Sequence, residues 1–240
     1  MLQLVNVHKK YKEKHAVNGI SFALEKGDSL GLIGTNGAGK STTISMIATL
    51  IQPDSGDILY HDQSIIKNPN IIRKRLGYVP QEIALYENLS GLDNLKFWGR
   101  AYHLKGKELE NAIERVQKVI GFTSDELKQK VATYSGGMKR RVNIGVALLH
   151  DPEIVIMDEP TVGIDFVSRN LILSTIKEIN KRGVTIIYTG HYLEEIEQIC
   201  NKICIMDSGS IIAMGNKQDL LQKLSGDKKL EQLYLRTISN

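Results

Sequence analysis

The stretch Gly34-Thr35-Asn36-Gly37-Ala38-Gly39-Lys40-Ser41-Thr42 decides how this chain folds. A short apolar run that ends at Ile33 precedes it and predicts a buried strand, while residues 41–50 carry apolar side chains at helical spacing. The three glycines allow the backbone to turn so that successive N–H groups point to one place, next to the positive end of the following helix. The stretch therefore predicts a phosphate-binding loop between a strand and a helix.

Each residue type in this loop has an expected task. Lys40 supplies a mobile positive charge for the outer phosphates of a nucleotide, and the Ser41 hydroxyl is placed to bind Mg²⁺. At average composition the fixed positions recur by chance in roughly one chain of this length in a hundred. The strand before the loop and the helix after it favour nucleotide binding over chance. The residues expected to contact the nucleotide here are Gly34, Asn36, Gly37, Ala38, Gly39, Lys40, Ser41 and Thr42.

A pair of carboxylates follows a second apolar run. Ile154-Val155-Ile156-Met157 has no polar alternation, which indicates a strand covered on both faces, and Asp158-Glu159-Pro160 comes directly after it. Carboxylates at the C-terminal end of such a strand lie in the crevice where open α/β sheets bind ligands. Asp158 is suited to hold Mg²⁺ through water, and Glu159 to polarise an attacking water. The alternative is an acidic turn that only ends the strand.

A second glycine turn, Tyr134-Ser135-Gly136-Gly137-Met138, makes the pattern more specific. With it, the sequence resembles the ATP-binding-cassette (ABC) ATPases over nearly the whole chain and in the right order. Along the chain, the matches are Tyr11 to the aromatic that stacks on adenine, residues 34–42 to the Walker A loop, Gln81 to the Q-loop glutamine, Ser135-Gly136-Gly137 to the signature motif, Asp158 and Glu159 to Walker B and its catalytic glutamate, Asp165 to the D-loop, and His191 to the switch histidine.

The resemblance implies a mechanism and two partners. MgATP would sit on the Walker A loop, with Ser41, Gln81 and Asp158 around the metal. Glu159 would orient the water, and His191 would hold the γ-phosphate. In the family, the signature motif of a second subunit, here Ser135–Gly137, closes over the ATP. We therefore expect a second ATPase subunit, and we favour a homodimer of this chain. A membrane-spanning permease is the other expected partner, and the Q-loop glutamine senses it.

Three departures from the usual family pattern indicate which branch of the ABC ATPases the chain resembles. Met138 ends the signature in place of glutamine, Gly163 stands in the D-loop, and Gly190 precedes the switch histidine. The runs at residues 134–141 (Tyr-Ser-Gly-Gly-Met-Lys-Arg-Arg) and 160–163 (Pro-Thr-Val-Gly) resemble the drug- and lipid-exporting ATPases that are made as separate subunits. Two alternatives stay open: a non-transport ABC ATPase acting in DNA repair or translation, and a P-loop kinase or small-molecule transferase that shares only the loop.

Composition limits the remaining classes. The 240 residues are 42% hydrophobic, enough for a substantial core, and 31 basic against 27 acidic residues give a net charge of +4. That charge is too mild to predict nucleic-acid binding. The apolar runs are about half a membrane span or less and no secretory signal is apparent, so we expect a protein held at the cytoplasmic face of the cell membrane by its permease. Cys200 and Cys204 are expected to be buried thiols.

The order of patterns predicts the organisation of one ABC ATP-binding domain, residues 1–240, with an α/β P-loop NTPase fold. Alternating segments at 2–7 and 17–24, joined by a charged turn at Lys9–Lys14, predict an antiparallel β flap. The predicted divisions are a RecA-like core with the flap at 1–84 and 151–215, an inserted helical lobe at 85–150, and a helical tail at 216–240. Within this scheme, strand and helix units from 29 to about 80 are all assigned to the core.

The helical lobe is the expected contact for the membrane subunit. Leu95, Trp98 and Tyr102 share one face of a predicted helix at 92–104, and Phe97 and Ala101 share another with Leu104. Together with Tyr86, these aromatic side chains are the candidate groove for a short helix of the permease. Lys139-Arg140-Arg141, next to the signature, either add to an anion site or face water.

Overall fold

The computed structural model describes residues 1–190, 192–222 and 229–238. The strands are β1 (Leu2–Tyr11), β2 (Lys14–Leu24), β3 (Ser29–Ile33), β4 (Ser55–Tyr60), β5 (Gln63–Ser64), β6 (Leu76–Val79), β7 (Ile154–Asp158), β8 (Thr185–Thr189), β9 (Lys202–Asp207) and β10 (Ser210–Asn216). The α-helices are α1 (Lys40–Ile47), α2 (Asn70–Arg73), α3 (Gly91–Ala101), α4 (Gly106–Ile120), α5 (Ser124–Lys128), α6 (Gly136–Leu148), α7 (Phe166–Lys181), α8 (Leu193–Ile199), α9 (Lys217–Gln222) and α10 (Leu230–Ile238).

The larger sheet has six strands in the order β10-β9-β3-β8-β7-β6. Strands β9, β3, β8, β7 and β6 run parallel, and β10 pairs antiparallel to β9 at one edge. Along β7, Ile154 and Ile156 pack into one apolar cluster, whereas Val155 and Met157 pack into another. Because successive side chains of a strand point to opposite faces, the two clusters cover the two faces of this sheet. The predicted α/β core is confirmed.

The smaller sheet is antiparallel and has the order β2-β1-β4-β5. The prediction that everything from 29 to about 80 belongs to the core is wrong at β4 and β5, because Ile58 pairs with Leu4 and Tyr60 with Leu2 of β1. Ile58 and Tyr60 are buried as alternate residues of β4, which fits a sheet with one covered face. The predicted turn at Lys9–Lys14 is also too long. Both strands of the hairpin continue until Tyr11 pairs with Lys14.

The helical lobe lies between β6 and β7 and consists of α3, α4, α5, a 3₁₀ turn at Val131–Thr133 and α6. Helix α4 buries one stripe, which holds it against the rest of the lobe: Leu109, Ala112, Ile113, Val116 and Ile120. Leu95 is fully buried in this lobe, and Trp98 and Tyr102 are partly buried against the same cluster. Phe97 is 44% exposed and Tyr86 is 49% exposed. The predicted aromatic group is therefore divided between core and surface, with Trp98 on the core side.

Within the described residues of the predicted helical tail lie two short helices, α9 and α10. Leu230 and Leu233 of α10 are buried in the same apolar cluster as the core residues of the helical lobe. Cys200 and Cys204 are free, buried thiols, as predicted, and burial raises the pKa of each to about 12. No helix in the described part of the chain has the length and apolar character needed to span a lipid bilayer.

Candidate active site

The phosphate-binding loop connects the buried strand β3 to helix α1, which begins at Lys40. Gly37 and Gly39 have φ angles of 84° and 104°, in the left-handed region that favours glycine. Gly39 also lies against strand β2, so that a Cβ atom there would be 2.3 Å from the Ala16 carbonyl oxygen. Backbone conformation and lack of space both require glycine at the last position before the helix.

The ammonium group of Lys40 is hydrogen-bonded to the backbone at the start of the same loop. It donates hydrogen bonds to the carbonyl oxygens of Gly34 and Thr35, at 2.7 and 3.0 Å. Burial lowers the pKa of Lys40, while the nearby carboxylates Glu159 and Asp158 act in the opposite direction. A buried cation of this kind gains from an added anion, since burial of a charge is costly unless that charge is paired.

A cavity of about 300 Å³ joins the loop to the other predicted nucleotide contacts. Tyr11 at the end of β1 and Glu159 after β7 both line it, although they are far apart in the sequence. Gly34 and Ala38 belong to the loop but do not line this cavity. The residues around the cavity are Tyr11, Lys14, Ala16, Asn36, Gly37, Gly39, Lys40, Ser41, Thr42 and Glu159. Lys14 was missed by the sequence analysis, which placed it in a charged turn.

The two carboxylates after β7 are held by the neighbouring strand β8. The Thr189 hydroxyl donates to Asp158 Oδ1 at 2.7 Å, and the Glu159 amide donates to both the carbonyl oxygen and the hydroxyl oxygen of Thr189, each at 3.1 Å. Glu159 has a φ of 48°, which is unusual for a residue other than glycine and is a form of strain concentrated at functional sites. The only sequence signal for Thr189 was its place at the end of an apolar run.

Tyr78 of β6 lies on the other side of Asp158. Its hydroxyl is 3.5 Å from Asp158 Oδ2, and burial together with this carboxylate raises the pKa of Tyr78 to about 12. The phenol therefore stays protonated and can only donate towards the carboxylate. Asp158 is thus oriented from both neighbouring strands, which the sequence motif alone does not reveal.

The oxygen atoms near the loop fit a magnesium ion. Mg²⁺ prefers oxygen ligands, keeps several waters, and uses one or two carboxylates together with phosphate oxygens rather than a full protein cage. Next to Lys40, Ser41 offers a hydroxyl and Asp158 a carboxylate, whereas the Gln81 amide is exposed and does not line the cavity. The described residues contain no group of three or more His, Cys, Asp or Glu side chains that could hold a metal by themselves.

The signature segment begins helix α6 and does not line the cavity at the phosphate loop. The Ser135 hydroxyl caps the helix by accepting a hydrogen bond from the Met138 amide at 3.2 Å. Gly137 packs against helix α7, where an added Cβ would be 2.3 Å from Cβ and Oγ of Ser168. Asp165 caps α7 by accepting from the Ser168 amide at 3.0 Å, and hydrogen bonds from Ser168 lower the pKa of Asp165. The signature and the D-loop are therefore neighbours.

The basic residues after the signature are paired within the protein. Arg140 is buried and donates to the carbonyl oxygens of Pro80 and Gln81, at 2.7 and 2.5 Å. Arg141 donates to the carbonyl oxygen of Ile120 at 2.8 Å, and Lys139 forms an ion pair with Glu87 at 2.5 Å. Neither alternative from the sequence, an anion site or a solvated face, describes them. Arg140 instead fixes the backbone of the Q-loop.

Of the predicted residues Gln81 and His191, only Gln81 can be placed relative to the cavity. The Gln81 side chain is exposed and does not line it. His191 lies outside the described residues, between the end of β8 and helix α8.

The family model described as ABC transporter matches residues 17–162, more than half of the chain. This chain belongs to the ABC transporter family. As an ABC ATPase it binds and hydrolyses ATP, and the kinase alternative is excluded.

Similar ABC proteins extend the match to nearly the whole chain. The linearmycin resistance ATP-binding protein LnrL of Bacillus subtilis is 52% identical over 227 residues, which cover 95% of this chain and 73% of LnrL. The Nod factor export ATP-binding protein I of Bradyrhizobium diazoefficiens is 36% identical, over 96% of this chain and 75% of that protein. A solved ATP-binding subunit of an ABC transporter superposes with a TM-score of 0.87 at 29% identity, covering 99% of each chain.

Proposed function

We propose that this chain is the ATP-hydrolysing subunit of an ABC exporter and that it powers a separate membrane subunit. The names of its relatives support export, since one is named for linearmycin resistance and another for Nod factor export. The observation that carries the hydrolytic part is the shared cavity, in which Glu159 and the phosphate loop line the same space.

Each proposed site residue has a task in the hydrolysis of ATP. The amides from Gly34 to Thr42 and the Lys40 ammonium bind the phosphates, and Tyr11, 49% exposed at the edge of the cavity, stacks on adenine. Ser41, Asp158 and Gln81 hold Mg²⁺, which neutralises charge on the outer phosphates when bound. Glu159 orients the attacking water, and His191 holds the γ-phosphate. Positioning and electrostatics supply most of the catalysis in phosphoryl transfer.

A second copy of the chain would complete each site with its signature Ser135–Gly137. Within one chain the signature does not line the nucleotide cavity, and it packs instead against the start of α7. At the start of α7, the Phe166 side chain is 74% exposed and the Val167 side chain is 68% exposed. Exposed apolar side chains beside the signature support a contact with another subunit. We therefore propose a homodimer at the cytoplasmic face of the membrane, attached through the permease.

The permease would contact the helical lobe. Tyr86 and Phe97 form an edge-to-face ring contact at 4.9 Å on the surface of the lobe. Phe97 also borders an open groove of about 660 Å³ together with Leu89 and Ala101. These residues replace Trp98 as the candidate docking face. The proposed division into lobe (85–150), core with flap (1–84 and 151–215) and tail (216–240) is consistent with this assignment.

Replacing Glu159 by Gln tests the proposed reaction. We expect the variant to bind MgATP with wild-type affinity but to turn over at least about a hundredfold more slowly, because the group that orients water is lost while the binding contacts remain. The variant should also accumulate as an ATP-bound dimer, measured by light scattering after gel filtration.

The control is Glu178→Gln, which removes an exposed carboxylate of α7 that pairs with Lys181. It should hydrolyse ATP like the wild type. Ready turnover by Glu159→Gln, with the control unchanged, would remove Glu159 from the proposed role.

A further inference from the structure

Glu195, in the first turn of α8, is a buried carboxylate outside the nucleotide cavity. Only 4% of its surface is exposed. Its Oε2 atom accepts hydrogen bonds from the Tyr188 hydroxyl at 2.6 Å and from the Thr161 hydroxyl at 2.7 Å. Burial of a carboxylate is costly unless such bonds compensate it. These two donors therefore hold Glu195 in one orientation.

The other carboxylate oxygen faces an arginine. Arg169 Nε lies 3.5 Å from Glu195 Oε1, close enough for an ion pair but without a hydrogen bond to it. The Arg169 guanidinium also stacks over the Tyr192 ring, 4.4 Å from its centroid. One buried carboxylate thus joins Thr161, Tyr188 and Arg169, and Arg169 extends the cluster to Tyr192. We call these five residues the Glu195 cluster.

The Glu195 cluster connects the two segments that carry the proposed catalytic groups. Thr161 follows Glu159 by two residues, and Arg169 lies in the first turns of α7, whose cap is Asp165. Tyr188 and Tyr192 stand on either side of position 191 in the sequence. The hydrogen bonds and the ring contact therefore tie the segment after β7 to the segment after β8.

We propose that Glu195 is a positioning residue, which fixes the segment that carries Glu159 relative to the start of α8. This inference rests on the proposed roles of Glu159 and His191. A misplacement of about 1 Å between reacting groups can cost about a hundredfold in rate. Because a buried polar group that loses its hydrogen-bond partner is costly, removal of one member should loosen the arrangement.

Two variants separate positioning from simple stabilisation. Glu195→Gln keeps the shape but removes the charge that faces Arg169, and Tyr188→Phe removes a single hydroxyl, so it retains the packing even if the first variant folds poorly. In ATP hydrolysis by the purified chain, we expect each to lower kcat about ten- to a hundredfold and to leave the KM for ATP within about threefold. The double variant should lose less than the product of the two single losses, since both act on one network.

The chain offers a matched control in Tyr60→Phe. The Tyr60 hydroxyl donates to Glu153 Oε2 at 2.8 Å, another Tyr–Glu hydrogen bond, away from the nucleotide cavity. Tyr60→Phe should lose stability to urea to a similar extent as Tyr188→Phe but keep the wild-type kcat. That contrast is not expected if the Glu195 cluster only stabilises the fold.

The inference is overturned if Glu195→Gln and Tyr188→Phe retain wild-type kcat, or if Tyr60→Phe loses as much kcat as they do. The same assay includes the wild-type and Glu159→Gln chains, which test the proposed reaction separately. Normal turnover by Glu159→Gln contradicts the catalytic role of Glu159, whereas normal turnover by the two cluster variants contradicts the role of Glu195.

Discussion

Gly39 shows at the scale of one residue why the phosphate loop tolerates so little change. It has a left-handed backbone, and the Ala16 carbonyl of strand β2 approaches it closely. Gly163 in the D-loop also has a positive φ, of 73°, but no atom of the described residues would lie within 4 Å of a Cβ there. The two glycines separate the cost of the backbone conformation from the cost of a steric clash.

Replacing each glycine by alanine should therefore lower the free energy of unfolding by different amounts. Gly163→Ala should lower the free energy of unfolding by about 1 kcal/mol, from backbone strain alone. Gly39→Ala should lower it by about 2–4 kcal/mol, because overpacking against β2 adds to that strain. Denaturation in urea measures both, and equal losses would contradict the assigned clash.

The sequence predicted individual site residues where a motif named them and missed those defined only by the fold. Lys40 and Glu159 were found because the glycine loop and the acidic strand end are local patterns. Thr189 and Lys14 belong to segments that are distant in sequence, and only strand pairing and the hairpin bring them to the site. No local pattern distinguishes such residues from an ordinary strand threonine or a surface lysine.

At the scale of elements, helix α6 connects the signature to the Q-loop through Arg140. Arg141, its neighbour on the same helix, donates instead to the carbonyl oxygens of Ile120 and Gly121 at the end of α4. Each arginine satisfies two backbone carbonyl groups of another segment. They differ in that only the Arg140 contacts reach the loop of Gln81.

Replacing either arginine by methionine keeps an unbranched apolar stem and removes the guanidinium group that makes these hydrogen bonds. Both Arg140→Met and Arg141→Met should lower the free energy of unfolding by about 1–3 kcal/mol, because carbonyl groups lose their donors. Only Arg140→Met should lower kcat, by about tenfold, since the Q-loop is then misplaced. Equal kcat in the two variants, measured beside wild type, would show that Arg140 does not act through that loop.

Elements were predictable where the apolar period was long and uninterrupted. The strand predicted at Ile154–Met157 extends by one residue to Asp158, and the helix predicted at 92–104 is α3, Gly91–Ala101. The prediction failed for β4, because a short strand shows no preference for one sheet over another. Its place was decided by pairing with β1, through contacts such as Ile58 with Leu4.

At the scale of the whole molecule, the nucleotide cavity and the signature are separate surfaces of one chain. The cavity is lined by the phosphate loop and Glu159, whereas Gly137 of the signature packs against Ser168. No sequence pattern in a single chain specifies how two chains meet. The expectation of a dimer with shared sites therefore came from the family resemblance. Each chain of the proposed dimer therefore carries two half-sites.

The most direct test mixes two chains, each defective in a different half-site. Lys40→Ala removes the phosphate-binding charge but keeps the signature, and Ser135→Arg blocks the signature but keeps the loop. Each variant alone should hydrolyse almost no ATP. In an equimolar mixture, half of the dimers combine one intact loop with one intact signature, so we predict about a quarter of the wild-type rate if the sites act independently. A mixture as inactive as its components, with mixed dimers demonstrated by affinity capture, would contradict a site shared between two chains.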